Sequence, residues 1–278
     1  MTHHREPGRM YRMPYGFGPS AGPRQGPGGE RFDWTMTPCR RAATVSFLTE
    51  AAALDRLLPP DFALIGEPVV TVEIQYYTQL EWLAGRGYNT LGIRFPVRFE
   101  GKRDRVQGGF LAVLWENLTD PILSGRDELG FAKLYCELPP PRVFKGREHY
   151  FAEWLGHRFM DMDIGDLTET SKAAPPLMGL SGPNEGTLHY KYVPRTGAWG
   201  DDDVAYACLT PSTGSQMQVT AAWKGQGRVA FHPTSWEQMP TQFQVVSSLA
   251  ALPQLEQRGA TLVETRGAKD LGDQRILG

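Results

Sequence analysis

Lys133 lies in Gly125-Arg126-Asp127-Glu128-Leu129-Gly130-Phe131-Ala132-Lys133-Leu134-Tyr135, a single amine among apolar residues just after a charged turn. An ammonium that is costly to ionise gives up its proton more readily, so a lysine in dry surroundings is partly neutral near pH 7 and can attack a ketone. The resulting iminium accepts the electron pair released when a neighbouring bond breaks. On residue type alone, the commoner fate of a lysine is a solvated charge at a strand edge, because lysines are rarely buried without a partner.

The stretch resembles the reactive-lysine motif of the acetoacetate decarboxylase family. The resemblance runs from about Arg40 to near the C-terminus and includes Leu57-Leu58-Pro59-Pro60, Glu67-Pro68-Val69-Val70-Thr71-Val72-Glu73, Pro96-Val97-Arg98-Phe99-Glu100-Gly101, and Asp120-Pro121 leading into Gly125-Arg126. It implies a strand-dominated α+β fold, an antiparallel cone-shaped β-barrel with a few peripheral helices and the lysine inside. It also implies a lyase that holds a small keto acid as a Schiff base on Lys133, with no cofactor and no metal. Decarboxylation of acetoacetate to acetone and carbon dioxide is the leading reaction. Two alternatives stay open: aldol condensation and dehydration of pyruvate with an aldehyde, and a non-catalytic barrel that binds a small ligand.

Carried over residue by residue, the resemblance puts Arg40 near the substrate carboxylate, where a guanidinium can make two hydrogen bonds, with the adjacent Arg41 as the other match. Glu73 falls on a family active-site glutamate; facing inward it can relay protons or orient the lysine, facing outward it is ordinary solvated charge. Arg126 belongs to the motif and either contributes to substrate binding or pairs with Asp127 or Glu128 to fix the turn. Two positions depart from the family. A second glutamate falls on or near Thr90, where no acid stands, although Glu116 on the strand before the lysine motif can substitute. A second lysine falls on Leu134, which leaves burial to activate Lys133 and makes its surroundings drier.

Other patterns carry no chemistry. Gly225-Gln226-Gly227-Arg228-Val229-Ala230 fits a loose dinucleotide pattern, but Pro233 follows where a helix would have to start. Asp161, Asp163 and Asp166 lack the glycine and terminal glutamate of a calcium loop. The six histidines form no helical pair and have no nearby cysteine, and Ser181, Ser212 and Ser215 lie outside any nucleophile elbow.

Elements to position these residues follow from the pattern along the 278-residue chain. Residues 1–36 are rich in Gly, Pro and Arg and read as an extended arm, with Tyr11, Met13, Tyr15, Phe17, Phe32 and Trp34 as apolar anchors. Residues 37–278 read as one domain. Thr49 offers an N-cap for a short helix through Leu54 to Leu58, stopped by Pro59-Pro60, and a second helix spans Gln242 to Leu252 after Thr241. Alternation predicts strands at Val70–Tyr76, Leu91–Phe99, Gly109–Trp115, Thr187–Val193, Gln216–Trp223 and Thr261–Glu264.

With 29 basic and 31 acidic residues the net charge is −2, which gives no draw toward nucleic acid or an anionic membrane. A small keto acid remains as partner, with a homo-oligomer expected. No apolar run approaches the roughly 18 residues of a membrane span, and no signal peptide is evident. Cys39, Cys136 and Cys208 are far apart and odd in number, which fits a reducing cytoplasm. The Asn117-Leu118-Thr119 sequon is then expected to carry no sugar.

Overall fold

The computed structural model describes residues 5–173 and 177–278. Its strands are β1 Cys39–Leu48, β2 Phe62–Leu64, β3 Val69–Leu80, β4 Arg86–Glu100, β5 Arg105–Glu116, β6 Lys133–Tyr135 and β7 Arg142–Phe144. They continue with β8 Arg147–Trp154, β9 His157–Glu169, β10 Gly186–Pro194, β11 Asp202–Pro211, β12 Gln218–Phe231, β13 Glu256–Arg266 and β14 Arg275–Ile276. Three short α-helices accompany them: α1 Ala51–Asp55, α2 Thr119–Ser124 and α3 Phe243–Ala250. No described helix is long and apolar enough to cross a membrane.

All strands join one sheet in the order β14-β11-β10-β5-β4-β3-β1-β13-β12-β9-β8-β7, with β2 on β4 and β6 on β5. Pairing is antiparallel except at two places, where β10 and β6 each lie parallel to β5. The hydrogen-bonded path does not close into a ring among the described residues, yet the sheet curls on itself. Residues of β10 and of β12, far apart in the strand order, line one interior cavity.

Alternation along β3 separates two environments. Val70, Val72 and Ile74 join the main hydrophobic core, while Thr71 and Glu73 line one interior cavity and Tyr77 another. The same period sends Leu91, Ile93, Phe95 and Val97 of β4 to the core and leaves Tyr88, Thr90 and Arg94 on the interior side. Helices α1 and α3 cover the apolar side through Leu54, Val246 and Leu249.

The helix expectations shift at their ends. Glu50, not Thr49, holds the N-cap position of α1, and neither side chain caps it; Thr49 lies between β1 and the cap, its amide donating to Pro68 O at 3.0 Å. The helix ends at Asp55, a turn before the prolines. Gln242 precedes α3 and ties it to the sheet, accepting from Trp115 Nε1 at 2.6 Å and donating to Tyr135 O at 3.1 Å.

The arm is ordered by polar contacts more than by its apolar residues. Met13 and Phe17 are 81% and 89% exposed. Trp34 O instead accepts from Ala268 N at 2.8 Å, and buried Gln25 donates to Met10 O at 2.9 Å and Ser20 O at 2.8 Å.

Candidate active site

The route into Lys133 is a short helix, a π-helical turn and a sharp stop. Helix α2 runs into a π turn at Gly125–Leu129, and Gly130, at φ 78°, ends it in the left-handed region that favours glycine. Strand β6 then pairs Lys133 with Leu114 of β5. Gly125 packs against the lysine stem so closely that a Cβ there would overlap Lys133 Cδ, Cε and Nζ. The lysine is 7% exposed. Its Nζ donates to Pro121 O at 2.8 Å and lies 2.8 Å from Glu116 Oε1, with the Phe131 ring centroid 5.8 Å away.

Arg126 serves the backbone of this strand. Its Nη1 donates to Lys133 O at 2.9 Å, and it is not among the residues that line the lysine's cavity, so the expected place beside a substrate is taken up by a contact to the strand. It also makes no ion pair with Glu128, whose carboxylate is held by Arg12 and Arg24 of the arm.

Glu116, 1% exposed, is the acid of the site. Its register partner across β4 and β5 is Thr90, so a carboxylate stands one strand over from the position where the family's acid is absent. Burial raises the Glu116 pKa against the pull of Lys133. Burial also lowers that of Lys133, against the pull of Glu116, and the positive charge of Arg24 adds to the lowering. Both directions favour a neutral amine beside a protonated acid, a pair that can pass one proton back and forth. Glu116 Oε2 is buried with no hydrogen-bond partner among the described residues.

Lys133 opens on a cavity of about 380 Å³, walled on one side by Tyr77, Trp82 and Tyr88 and roofed by Pro23, Arg24 and Trp34 of the arm. Arg40 lines it too. Its Nε donates to Thr265 Oγ1 at 3.2 Å and its Nη1 to Gln75 Oε1 at 3.3 Å. Burial opposes its charge, but nearby Tyr77 and Glu73 outweigh that and hold the guanidinium above its ordinary pKa. Adjacent strand residues face opposite ways. Arg41 accordingly turns to the other side, where it pairs with Glu148 at 2.6 Å and donates to Tyr150 OH at 3.1 Å.

Glu73 faces inward but into the neighbouring cavity of about 390 Å³, 3.6 Å from Arg94. At ~3.3 Å per residue it sits ~13 Å along β3 from Tyr77, and its hydrogen-bonded link to the Lys133 side runs through Gln75, which donates to it and accepts from Arg40 and Tyr77. Leu134 also departs from expectation. It packs on the hydrophobic core, the opposite face of β6 from Lys133, and the dry walls around Nζ come from Phe131, Pro121 and Gly125.

Several site residues carried no signal in the sequence. Tyr77, Trp82 and Tyr88 form an aromatic wall, with Tyr77 and Tyr88 stacked at 5.3 Å across β3 and β4. His189 is fully buried; its Nδ1 lies 3.1 Å from Gly130 O, its ring 4.2 Å from Phe131, and burial drives its pKa to about 4, so it props the lysine turn as a neutral ring. A lone histidine or tyrosine in a strand gives no hint of this. Two aspartates of the calcium-like pattern serve ion pairs instead, Asp161 with Arg158 and His232 and Asp163 with His149 and Arg228, and the third, Asp166, is exposed. Among the described residues no group of His, Cys, Asp and Glu could hold a metal. Gly225 to Ala230 lie within β12, not in a phosphate loop.

Three solved structures are similar to this fold. The enduracididine biosynthesis enzyme MppR, complexed with the condensation product of pyruvate and imidazole 4-carboxaldehyde, superposes at a TM-score of 0.62 with 18% identity, over 92% of this chain and 97% of that one. Acetoacetate decarboxylase from Legionella pneumophila gives 0.56 and 20%, over 91% and 92%. An acetoacetate decarboxylase-like enzyme from Sphingomonas wittichii gives 0.59 and 17%, over 88% and 94%. No curated protein matches the chain by sequence. The acetoacetate decarboxylase family profile matches residues 12–263, nearly the whole chain and with it Arg24, Arg40, Glu116 and Lys133, and the chain belongs to that family.

Proposed function

We propose that the protein is a Schiff-base lyase acting on a keto acid through Lys133. The observation that carries this reading is the buried Lys133–Glu116 pair, 2.8 Å apart, opening on a cavity that also holds Arg40. The neutral amine attacks the substrate carbonyl carbon, and the carbinolamine loses water as Glu116 hands over a proton. Arg40 holds the carboxylate. With a β-keto acid, the electron pair of the bond to the carboxylate flows into the iminium, carbon dioxide leaves, and the enamine takes a proton before hydrolysis returns the free lysine. Dry walls favour loss of charge from the departing carboxylate.

A second reading keeps the iminium and changes the bond. The cavity, about 380 Å³, has the size of a site for a drug-sized ligand rather than a four-carbon acid, and its aromatic wall suits a ring. An enamine formed from pyruvate could there attack an aromatic aldehyde and lose water, the chemistry named by the MppR complex. Borohydride reduction in the presence of keto acids, followed by peptide mass spectrometry, tests the shared step: the adduct is expected on Lys133 and absent in Lys133→Ala. Labelling that persists in that variant defeats the assignment. Gas release from acetoacetate, run beside ultraviolet detection of unsaturated products from pyruvate and an aldehyde, decides between the two bonds.

A further inference from the structure

Two arginines of the N-terminal arm converge on one carboxylate of the lysine turn. Arg12 Nε donates to Glu128 Oε1 at 2.8 Å, and Arg24 Nη2 pairs with Oε2 of the same group. Asp127 of the same turn also acts on Arg12, and Asp270 and Arg31 act on Arg24 in opposite senses. The two arginines differ in placement: Arg24 lines the Lys133 cavity and Arg12 does not. Arg24 is 7% exposed, and its Nε is buried without a hydrogen-bond partner among the described residues.

This placement is built into the arm. Gly22 and Gln25 pair as a short antiparallel bridge around Arg24, and Gln25 also accepts from Met10 N at 3.0 Å. A Cβ on Gly22 would overlap the Arg12 guanidinium, which donates to Ala21 O. Glycine at this position lets Arg12 pass across the arm to Glu128.

We propose that the arm is a wall of the active site and that Arg24 is a positioning residue, a fixed positive charge that helps hold Lys133 as a neutral amine. The proposal rests on the lysine reading above and deepens it. Like charges disfavour one another's ionised forms, and Arg24 itself, though lowered to about 10 by burial and by Arg12, stays charged near neutrality. It stands in for the family's second lysine, whose position holds Leu134. Glu116 acts on Lys133 in the opposite sense. Arg40, Lys269 and Asp270 line the same cavity with Tyr77 and Tyr88. Burial raises the pKa of both tyrosines, which keeps them neutral, and His189 behind Phe131 is neutral as well.

The test uses the full chain and needs no substrate: the pH dependence of Lys133 acetylation by a neutral acetylating reagent, read by peptide mass spectrometry. Arg24→Gln is expected to move the midpoint upward by about half a pH unit or more, roughly a threefold loss of neutral amine at fixed pH, and Arg24→Lys to restore most of it. Arg12→Gln loosens the same clasp but leaves the cavity charge, and is expected to move the midpoint much less. Equal shifts in Arg12→Gln and Arg24→Gln would reduce the effect to anchoring of the arm and overturn the proposal, as would an unmoved midpoint in Arg24→Gln. Keto-acid trapping separates the two levels. Trapping that proceeds at Lys133 while Arg24→Gln leaves its profile unchanged defeats the Arg24 assignment alone; a shifted profile with no trapping by any keto acid defeats the Schiff-base reading and leaves Arg24's effect on the amine standing.

Discussion

Replacing Glu116 by glutamine should make Lys133 easier to deprotonate and yet slow the enzyme. The carboxylate lies 2.8 Å from Nζ, and at an effective dielectric of about 20 a full ion pair at that distance is worth about 6 kcal/mol, or roughly 4 pKa units. Only part of that attraction operates near neutrality, because burial pushes both partners toward their uncharged forms. Glutamine keeps the shape and a hydrogen-bond acceptor but removes both the charge and the transferable proton. The acetylation midpoint of Lys133 should therefore fall by about one unit or more. Turnover should drop about a hundredfold or more, the usual scale for loss of a general acid–base. The two readouts move in opposite senses, which simple misfolding cannot produce. An upward midpoint shift, or undiminished turnover on a keto acid that traps on Lys133, would refute the proton-sharing account.

Lys133→Met leaves Glu116 buried without its partner, so its folded pKa stays above the unfolded value; the stabilising protonated form is fully present below the unfolded pKa and is lost as pH rises through the folded one. Urea midpoints of this variant should accordingly decline from about pH 4 upward, by at most about 1.4 kcal/mol per pH unit, while Lys133→Met/Glu116→Leu should show little such slope and match or exceed the parent by up to about 4 kcal/mol. Arg40→Ala should weaken carboxylate ligands by about 2–4 kcal/mol relative to the matching neutral ketones, measured by calorimetry, if the buried charge-assisted contact forms; equal losses would make Arg40 a structural residue. Gly125→Ala should abolish or displace trapping at Lys133 at a folding cost of about 1–3 kcal/mol, because the added methyl group falls on the lysine stem.

Strands were legible where one face met the core and the other the interior. In β3 the apolar Val70, Val72 and Ile74 alternate with polar Thr71, Glu73 and Gln75, and a period of two is visible. The alternation expectations did not include β1, β8, β9 and β11. In β1 the adjacent Arg40 and Arg41 are both satisfied, one inside and one outside, so charge does not mark a face. The choice between them needed the pairing of β1 with β3 and β13, since a slip of one residue exchanges the two sides. Glu73 shows the complementary limit. Its inward direction was what the family resemblance favoured, but its depth along the strand, which decides which cavity it serves, is a three-dimensional quantity.

The departures from the family motif expose what local spacing leaves out. Thr90 and Leu134 read as losses along the chain, but a site needs charges at points in space, and the sheet register and the arm bring charges to both neighbourhoods. Glu116 lies opposite Thr90 only because β4 and β5 pair as they do. Arg24 reaches the lysine cavity because Glu128, in the motif itself, anchors an arm whose glycines and prolines looked merely irregular. In the sequence the arm's apolar residues drew attention; in the fold Met13 and Phe17 face solvent, Trp34 lines the cavity, and the arginines hold Glu128. A partly buried carboxylate needs cations, and because the neighbouring Arg126 is engaged with Lys133 O, the positive partners of Glu128 arrive from the arm.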